Sequence, residues 1–286
     1  MKAKNISAVV VLYNPNLNLI KQVLSLVSCQ VRYIIVVDNT PNSDIGDEFC
    51  HFTNLVYIPL NANIGIAKAQ NLGIERSFEL GVDFVFFLDQ DSIIESNMVD
   101  TLYGAYVFLS EQNVQVGAVG PRPFNRLLNK KYEGTFVRGT AFSKEITEVN
   151  ELISSASLVP IHNFTDVGGL DSSLFIDGVD HEWCWRAKYL RNYRFFIVES
   201  TKLSHQVGEG DRFFLSFNIL IPTPFRVYYL YRNFVKLLIR SYVPIYWKLS
   251  NGVKLLFKMF YFPLFVKPRF VYLKRIFKGI VDGFLH

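Results

Sequence analysis

Asp89 and Asp91 stand one residue apart, directly behind the uncharged run Phe84-Val85-Phe86-Phe87-Leu88. In extended chain the side chains at i and i+2 point to one side, so two carboxylates can converge on one hard cation and on the diphosphate it bridges. A lone Asp-x-Asp says little, because acids are common in loops, but an apolar strand delivering two of them to its carboxyl end has little structural use. Two further polar pairs follow apolar runs in the same way: Tyr13-Asn14 after Ile6–Leu12, and Asp38-Asn39 after Tyr33–Val37. Gly65 precedes a helix-like segment whose amino terminus can face phosphate, and Lys68 adds positive charge there. The other reading of those two residues is a helix start with an exposed lysine.

Such residues need rigid elements to hold them. The runs Ile6–Leu12, Tyr33–Val37 and Phe84–Leu88 are apolar on both faces, as expected in a parallel sheet covered by helices. Helix-like segments lie between them at Leu17–Ser28 and Ala67–Leu80. This alternation predicts a doubly wound α/β sheet, and such sheets bind ligands at the carboxyl ends of their strands, where the polar residues cluster. A less regular middle (117–175) follows, then a helix-like Asp180–Leu190 and a distinct tail.

Half of the 286 residues are hydrophobic, so the chain can bury a large core and reads as one domain with an appendage. Cys29, Cys50 and Cys184 form no Cys-x-x-Cys pair, which speaks against a zinc ribbon or redox dithiol and suits a reducing compartment. The apolar run behind Lys2 and Lys4 is short and leads into Asn14-Pro15, so it reads as a core strand and not as a secretory signal. Tyr-Asn-Pro-Asn after the first strand is not the Gly-x-Gly-x-x-Gly of a dinucleotide-binding oxidoreductase.

Charge is divided unevenly. Residues 1–211 carry 17 Lys and Arg against 24 Asp and Glu, whereas residues 212–286 carry 13 against Asp282 alone, so the tail is chemically a different object. Lys248, Lys254 and Lys258 interrupt its best apolar stretch, which argues against a spanning helix. Arg226, Arg232, Lys236 and Arg240 recur at helical spacing among Tyr228, Tyr229, Phe234 and Leu237, and Lys254 and Lys258 repeat the pattern. The expectation is an interfacial helix with its basic face toward an anionic membrane surface; the bland alternative packs the aromatics on the body and leaves the charges solvated. No nucleic-acid-binding motif accompanies the charge, and no nucleic-acid partner is expected.

The order Val-Val-Val-Leu-Tyr-Asn (9–14), Val-Val-Asp-Asn-Thr (36–40), Asn-Ile-Gly-Ile-Ala-Lys-Ala-Gln-Asn-Leu-Gly (63–73) and Leu-Asp-Gln-Asp-Ser (88–92) resembles the nucleotide-binding half of family 2 glycosyltransferases of the GT-A fold. Gly-Gly-Leu-Asp (168–171) and Leu-Phe-Ile-Asp-Gly-Val-Asp-His-Glu-Trp-Cys-Trp-Arg (174–186) resemble that family's acceptor-side motif, in the wording of bacterial rhamnosyltransferases that use dTDP-L-rhamnose. The likeness covers about residues 6–210 and implies a Rossmann-like, mostly parallel sheet over residues 1–211; charge and aromatic content, not the likeness, mark 212–286 as a basic, aromatic, membrane-associating helical region.

Carried over residue by residue, the resemblance implies that Tyr13 and Asp38 hold the base and that Asn63, Gly65, Lys68 and Asp89 complete the nucleotide-sugar site. It makes Asp91, with Asp89 and His205, ligands of Mg²⁺ or Mn²⁺, and places Asp177, Trp183 and Arg186 on the acceptor side. Asp180 becomes the general base of an inverting transfer, although Val179 stands where the family carries Glu. The residues alone leave other uses open: a turn former for Asp38, a structural histidine for His205, and a helix cap for Asp180 with Asp177 or Glu182 as rival acids. The implied partners are a nucleotide sugar, expected to be dTDP-L-rhamnose, and a lipid-linked saccharide acceptor of cell-surface polysaccharide synthesis. The implied location is peripheral, on the cytoplasmic face of the bacterial inner membrane. A UDP-hexose donor and a non-catalytic nucleotide-binding membrane adaptor are the alternatives.

Overall fold

The computed structural model describes residues 5–125, 130–131, 139–205, 211–214 and 217–285, with backbone only at 124–125, 130–131, 204–205, 211–214 and 217–220. Lys2, Lys4 and Gln206–Gly208 lie outside the described residues.

Three strands form as their apolar runs predict: β1 (Ile6–Leu12), β2 (Tyr33–Asp38) and β4 (Phe84–Asp89), with β3 (Leu55–Pro59) added at the edge. They pair in parallel in the order β3-β2-β1-β4, Leu12 lying opposite Asp38 and Val11 opposite Asp89. That register brings the polar residues behind all three strands to one sheet edge. Helix α1 (Leu17–Ser28) is capped by Asn16, whose side chain accepts the amides of Asn18 and Leu19. It buries Ile20, Val23, Leu24 and Val27, the stripe that helical spacing dictates. Helix α2 (Ile66–Glu79) covers the opposite face so closely that a Cβ at Gly73 would sit 2.3 Å from Val9.

Beyond β4 the sheet turns mixed. After α3 (Met98–Glu111) come β5 (Val116–Asn125), β6 (Lys130–Lys131), β7 (Gly139–Ala141), β8 (Ile146–Val149) and β9 (Leu158–Pro160). Two helices, α4 (His162–Val167) and α5 (Val179–Arg191), precede the long β10 (Arg194–His205). The order continues β4-β9-β5-β10-β8-β7, with β6 on β5; only β5 and β10 in this half are parallel. A hairpin, β11 (Asp211–Phe214) and β12 (Phe217–Leu220), leads to three helices: α6 (Pro224–Leu238), α7 (Ile245–Phe265) and α8 (Arg269–Leu285). Among the described residues no helix is long and apolar enough to cross a membrane.

Candidate active site

At the edge built by β1, β2 and β4, the side-chain amide of Gln90 grips Tyr13, accepting its N–H at 2.8 Å and donating to its carbonyl at 3.1 Å. This holds the Tyr13 side chain half-exposed (47%) at the mouth of the sheet, beside the Asp89–Asp91 turn. Asp38 is 1% exposed, and its carboxylate accepts the Thr40 amide at 3.0 Å and the hydroxyls of Ser43 and Tyr57 at 2.6 and 2.7 Å. Burial, and then the Asp38 carboxylate, push the Tyr57 hydroxyl up to about 12. The turn-forming use of Asp38 is thus present. A nucleobase N–H would add a fourth donor to a carboxylate that offers about four acceptor positions.

Asn63 and its partner Asn39 shape the approach to α2. Asn39 donates to the Asn63 side chain at 3.0 Å and accepts the Ile64 amide at 2.8 Å, while Asn63 also accepts the Gly65 amide at 3.1 Å. The expectation of a free helix amino terminus facing phosphate needs correction. The first two amides of α2, on Ile66 and Ala67, are directed at the carbonyl of Phe175 at 2.8 and 3.5 Å. The loop around Phe175 thus caps this helix start from within the chain; Lys68 beside it is exposed.

Asp91 is partly buried and makes no hydrogen bond or ion pair among the described residues; Asp89 beside it is engaged. No three His, Cys, Asp or Glu side chains gather among the described residues as a ready ligand set. Two hard carboxylates fit Mg²⁺ or Mn²⁺ nonetheless, since such ions are commonly held by one or two carboxylates together with substrate phosphates. His205 ends β10 opposite Asn125, and its side chain lies outside the described residues.

Asp180 is the second residue of α5, behind a left-handed Gly178. Its carboxylate accepts the amide of His181 at 3.0 Å and that of Ser154 at 3.2 Å. Ser154 begins a turn that also reaches the carboxylate strand: Ala156 donates to the Phe87 carbonyl at 2.7 Å, and the Ser155 and Ser92 hydroxyls lie 3.0 Å apart. One short segment therefore ties Asp180 to the Asp89–Asp91 turn. Sequence reasoning missed it, although Ser154-Ser-Ala-Ser157 before an apolar run was a readable turn signal. A cavity opens beside Asp180, lined by Phe87, Leu152, Ser154, Leu170 and Trp183 among others.

The rival acids are otherwise committed. Glu182 is fully buried, paired with Arg186 at 2.8 Å and Arg240 at 3.2 Å and bonded by Tyr242 at 2.6 Å. Asp177 forms an ion pair with Arg226. Trp183 and Arg186 support the Gly168-Gly169 turn from inside the protein: the indole donates to the Gly168 carbonyl at 3.0 Å, and Arg186 to the carbonyls of Val167 and Gly169 at 2.6 and 2.7 Å.

The chain is 31% identical over 297 residues to the dTDP-rhamnosyl transferase RfbF of Shigella flexneri, covering 98% of this chain and 95% of that one. It belongs to that family of glycosyltransferases. No family model matches it. Among solved structures, S. aureus TarS 1–349 in complex with UDP-GlcNAc is similar at a TM-score of 0.56 and 17% identity, over 97% of this chain and 80% of that one. GalNAc-T7 with UDP, GalNAc and Mn²⁺ is similar at 0.58 and 13%, over 91% of this chain but 56% of that one. A longer TarS chain is similar at 0.56, and the present chain spans 46% of its length. These likenesses show the GT-A fold.

The transferase uses α6 differently from the expected interfacial helix. Its three cations and Arg240 just beyond it, expected to face lipid head groups, turn to the body of the protein: Arg226 to Asp177, Arg232 to the carbonyls of Ser173 and Leu174, Lys236 to the carbonyl of Ser173, and Arg240 to Asp171 at 2.5 Å. The physical reason is the 171–177 segment of the same chain, where the carboxylates of Asp171 and Asp177 and the carbonyls of Ser173 and Leu174 accept from cations that would otherwise be solvated. Leu237 and Val243 join the transferase's core, with Tyr242 and Trp247 packed against it.

The outward face of the transferase's tail belongs to α7 and α8. Ile245, Leu249, Val253, Leu256, Phe260 and Leu264 form one exposed apolar stripe on α7; Phe270, Phe277, Val281 and Phe284 form another on α8. Lys254, Lys267, Arg269, Lys274, Arg275 and Lys278 are exposed beside them. Lys258 is turned inward, where burial and the neighbouring Lys254 lower its pKa below the ordinary lysine value.

Proposed function

We propose that this glycosyltransferase moves L-rhamnose from dTDP-L-rhamnose to a hydroxyl of a lipid-linked saccharide, with inversion, in bacterial cell-surface polysaccharide synthesis. The observation that carries the reading is the Ser154–Ser157 turn, which joins Asp180 to the strand that ends in Asp89 and to the turn that carries Asp91. In this reading Tyr13 stacks on the base, Asp38 accepts its ring N–H, and Asn63 and Gly65 shape the turn beside the ribose and diphosphate. Lys68 balances the diphosphate charge. Asp91, with Asp89 and His205, holds Mg²⁺ or Mn²⁺, which when bound offsets the negative charge of the leaving diphosphate. Asp180 takes the proton of the acceptor hydroxyl, whose oxygen attacks the anomeric carbon while the nucleoside diphosphate departs from the opposite face. Such base catalysis is worth about 10²- to 10⁴-fold.

Support for the donor comes from near-full-length similarity to a protein named as a dTDP-rhamnosyl transferase. Residues 1–211 are read as the catalytic domain and 212–286 as the membrane-associating region, with α6 bracing the former. The exposed stripes of α7 and α8, flanked by Lys and Arg, suit the interface of an anionic bilayer, and the enzyme is placed peripherally on its cytoplasmic face. A donor screen tests the reading: release of dTDP from dTDP-L-rhamnose should exceed release of nucleotide from UDP- and GDP-hexoses at equal concentration. Preference for a UDP-hexose would overturn the rhamnose assignment and leave the family intact.

A further inference from the structure

Asn233 lies in the middle of α6, 2% exposed, far in sequence from every motif. Its side-chain amide nitrogen lies within hydrogen-bond distance of three backbone carbonyls of one loop, Leu174 at 2.8 Å, Ile176 at 2.6 Å and Asp177 at 2.9 Å, and shares its two hydrogens among them. Its oxygen accepts from the Arg232 guanidinium at 3.0 Å, and Arg232 donates onward to Leu174 in the same loop. The loop needs holding, because Phe175, Asp177 and Gly178 all have positive φ, at 66°, 66° and 83°. Two of the three are not glycine, and each such residue costs about 1–3 kcal/mol unless its surroundings over-determine it. This loop ends at Asp180 on one side and, through the Phe175 carbonyl, caps α2 on the other.

We infer that Asn233 is a positioning residue: by fixing the carbonyls of Leu174, Ile176 and Asp177 it sets where Asp180 stands, and so which hydroxyl reaches the anomeric carbon. The inference rests on the reading of Asp180 as the general base. An acceptor hydroxyl must sit where base and anomeric carbon are both in reach, and misplacement by about 1 Å can cost on the order of 10²-fold. Water needs no such docking. A loosened loop should therefore lose transfer to the acceptor faster than it loses hydrolysis of the donor. A residue needed only for folding would change the amount of active enzyme and leave that ratio alone.

The test uses the full chain with dTDP-L-rhamnose and the octyl glycoside, chosen from a panel, that the wild type glycosylates best. Transfer and hydrolysis are measured side by side for Asn233→Ala, for the milder Asn233→Ser, which keeps one donor, and for Leu109→Ala, a core truncation in α3. The expected result is a ratio of transfer to hydrolysis lowered by about 10-fold or more in Asn233→Ala, less in Asn233→Ser, and unchanged in Leu109→Ala. The KM for the donor should stay near the wild-type value. An unchanged ratio in both Asn233 variants, with both rates lowered together, would overturn the proposal and make Asn233 a fold staple. An Asp180→Asn arm separates the two readings: if that variant keeps transfer, the base assignment fails, whatever the Asn233 ratio.

Discussion

The carbonyl of Phe175 accepts the amide of Ile66 at 2.8 Å, joining the loop in front of Asp180 to the first turn of α2. The two residues are more than a hundred positions apart, and they belong to the two motifs that the sequence presents separately as donor and acceptor sides. Gly65 makes the contact possible. Its φ is 87°, and a Cβ there would lie 2.6 Å from the Phe175 ring and 2.8 Å from the same carbonyl. The Phe175 ring is in turn stacked on Tyr229 of α6 at 4.6 Å.

Gly65→Ala should therefore be costly twice, through a backbone conformation that L-residues avoid and through a clash with backbone that cannot rotate away. The strain alone is about 1–3 kcal/mol. Thermal unfolding should shift downward, and kcat should fall in the fraction that remains folded, because the loop carrying Asp180 is pushed off α2. Wild-type melting together with wild-type kcat would show that the docking is dispensable.

The parallel half of the sheet was legible because its signals are local. Ile6–Leu12 and Leu17–Ser28 form with the bounds that their apolar runs predict, and the polar pairs behind β1, β2 and β4 meet at one edge as parallel register requires. What was not legible depends on contacts distant in the chain. Asn233 looks like any polar residue on an amphipathic helix until the fold brings Leu174, Ile176 and Asp177 beneath it. The same applies to α6 and Arg240 just beyond it: the spacing of Arg226, Arg232, Lys236 and Arg240 marks a basic face, but not whether lipid or an acidic loop of the same chain receives it.

Removing the metal should stop transfer. Asp91 makes no hydrogen bond or ion pair among the described residues, so its carboxylate is available to a cation that also contacts the diphosphate. Excess EDTA should abolish sugar transfer, Mg²⁺ or Mn²⁺ should restore it, and Asp91→Asn should raise the concentration of metal needed. Full activity in EDTA is the outcome that removes the metal from the proposal.

Replacement of Asp180 and Glu182 in turn should separate base from scaffold. Asp180→Asn keeps shape but cannot take a proton, so kcat should drop by at least about 10²-fold while nucleotide binding persists. Glu182→Gln acts on stability instead. It weakens a buried cluster with Arg186, Arg240 and Tyr242, and breaking such a pair costs about 3–5 kcal/mol. Calorimetry and single-turnover kinetics on the two variants distinguish these effects. A stable, inactive Glu182→Gln beside an active Asp180→Asn would move the base to Glu182.

The tail holds two sets of cations, and they should fail in different assays. Exposed Lys254, Lys267, Arg269, Lys274, Arg275 and Lys278 flank the apolar stripes of α7 and α8, whereas Arg226, Arg232 and Arg240 are spent on Asp177, Ser173 and Asp171. Near an anionic bilayer each basic residue contributes about 1 kcal/mol, so changing four to six of the exposed set to Gln should release the enzyme from anionic vesicles. High salt should do the same by screening. Because these side chains leave the active site untouched, transfer to a soluble acceptor mimic should survive while transfer to a lipid-linked acceptor falls. Arg226→Gln with Arg240→Gln should show the reverse pattern: vesicle binding kept, and transfer impaired on both acceptors, since Asp177 and Asp171 lose their partners. Flotation with vesicles of mixed neutral and anionic lipid, run beside both transfer assays, reads the two patterns. Undiminished flotation of the variant in the exposed set at low salt would mean that charge does not hold this face to the membrane, and equal loss on both acceptors would make α7 and α8 part of the fold.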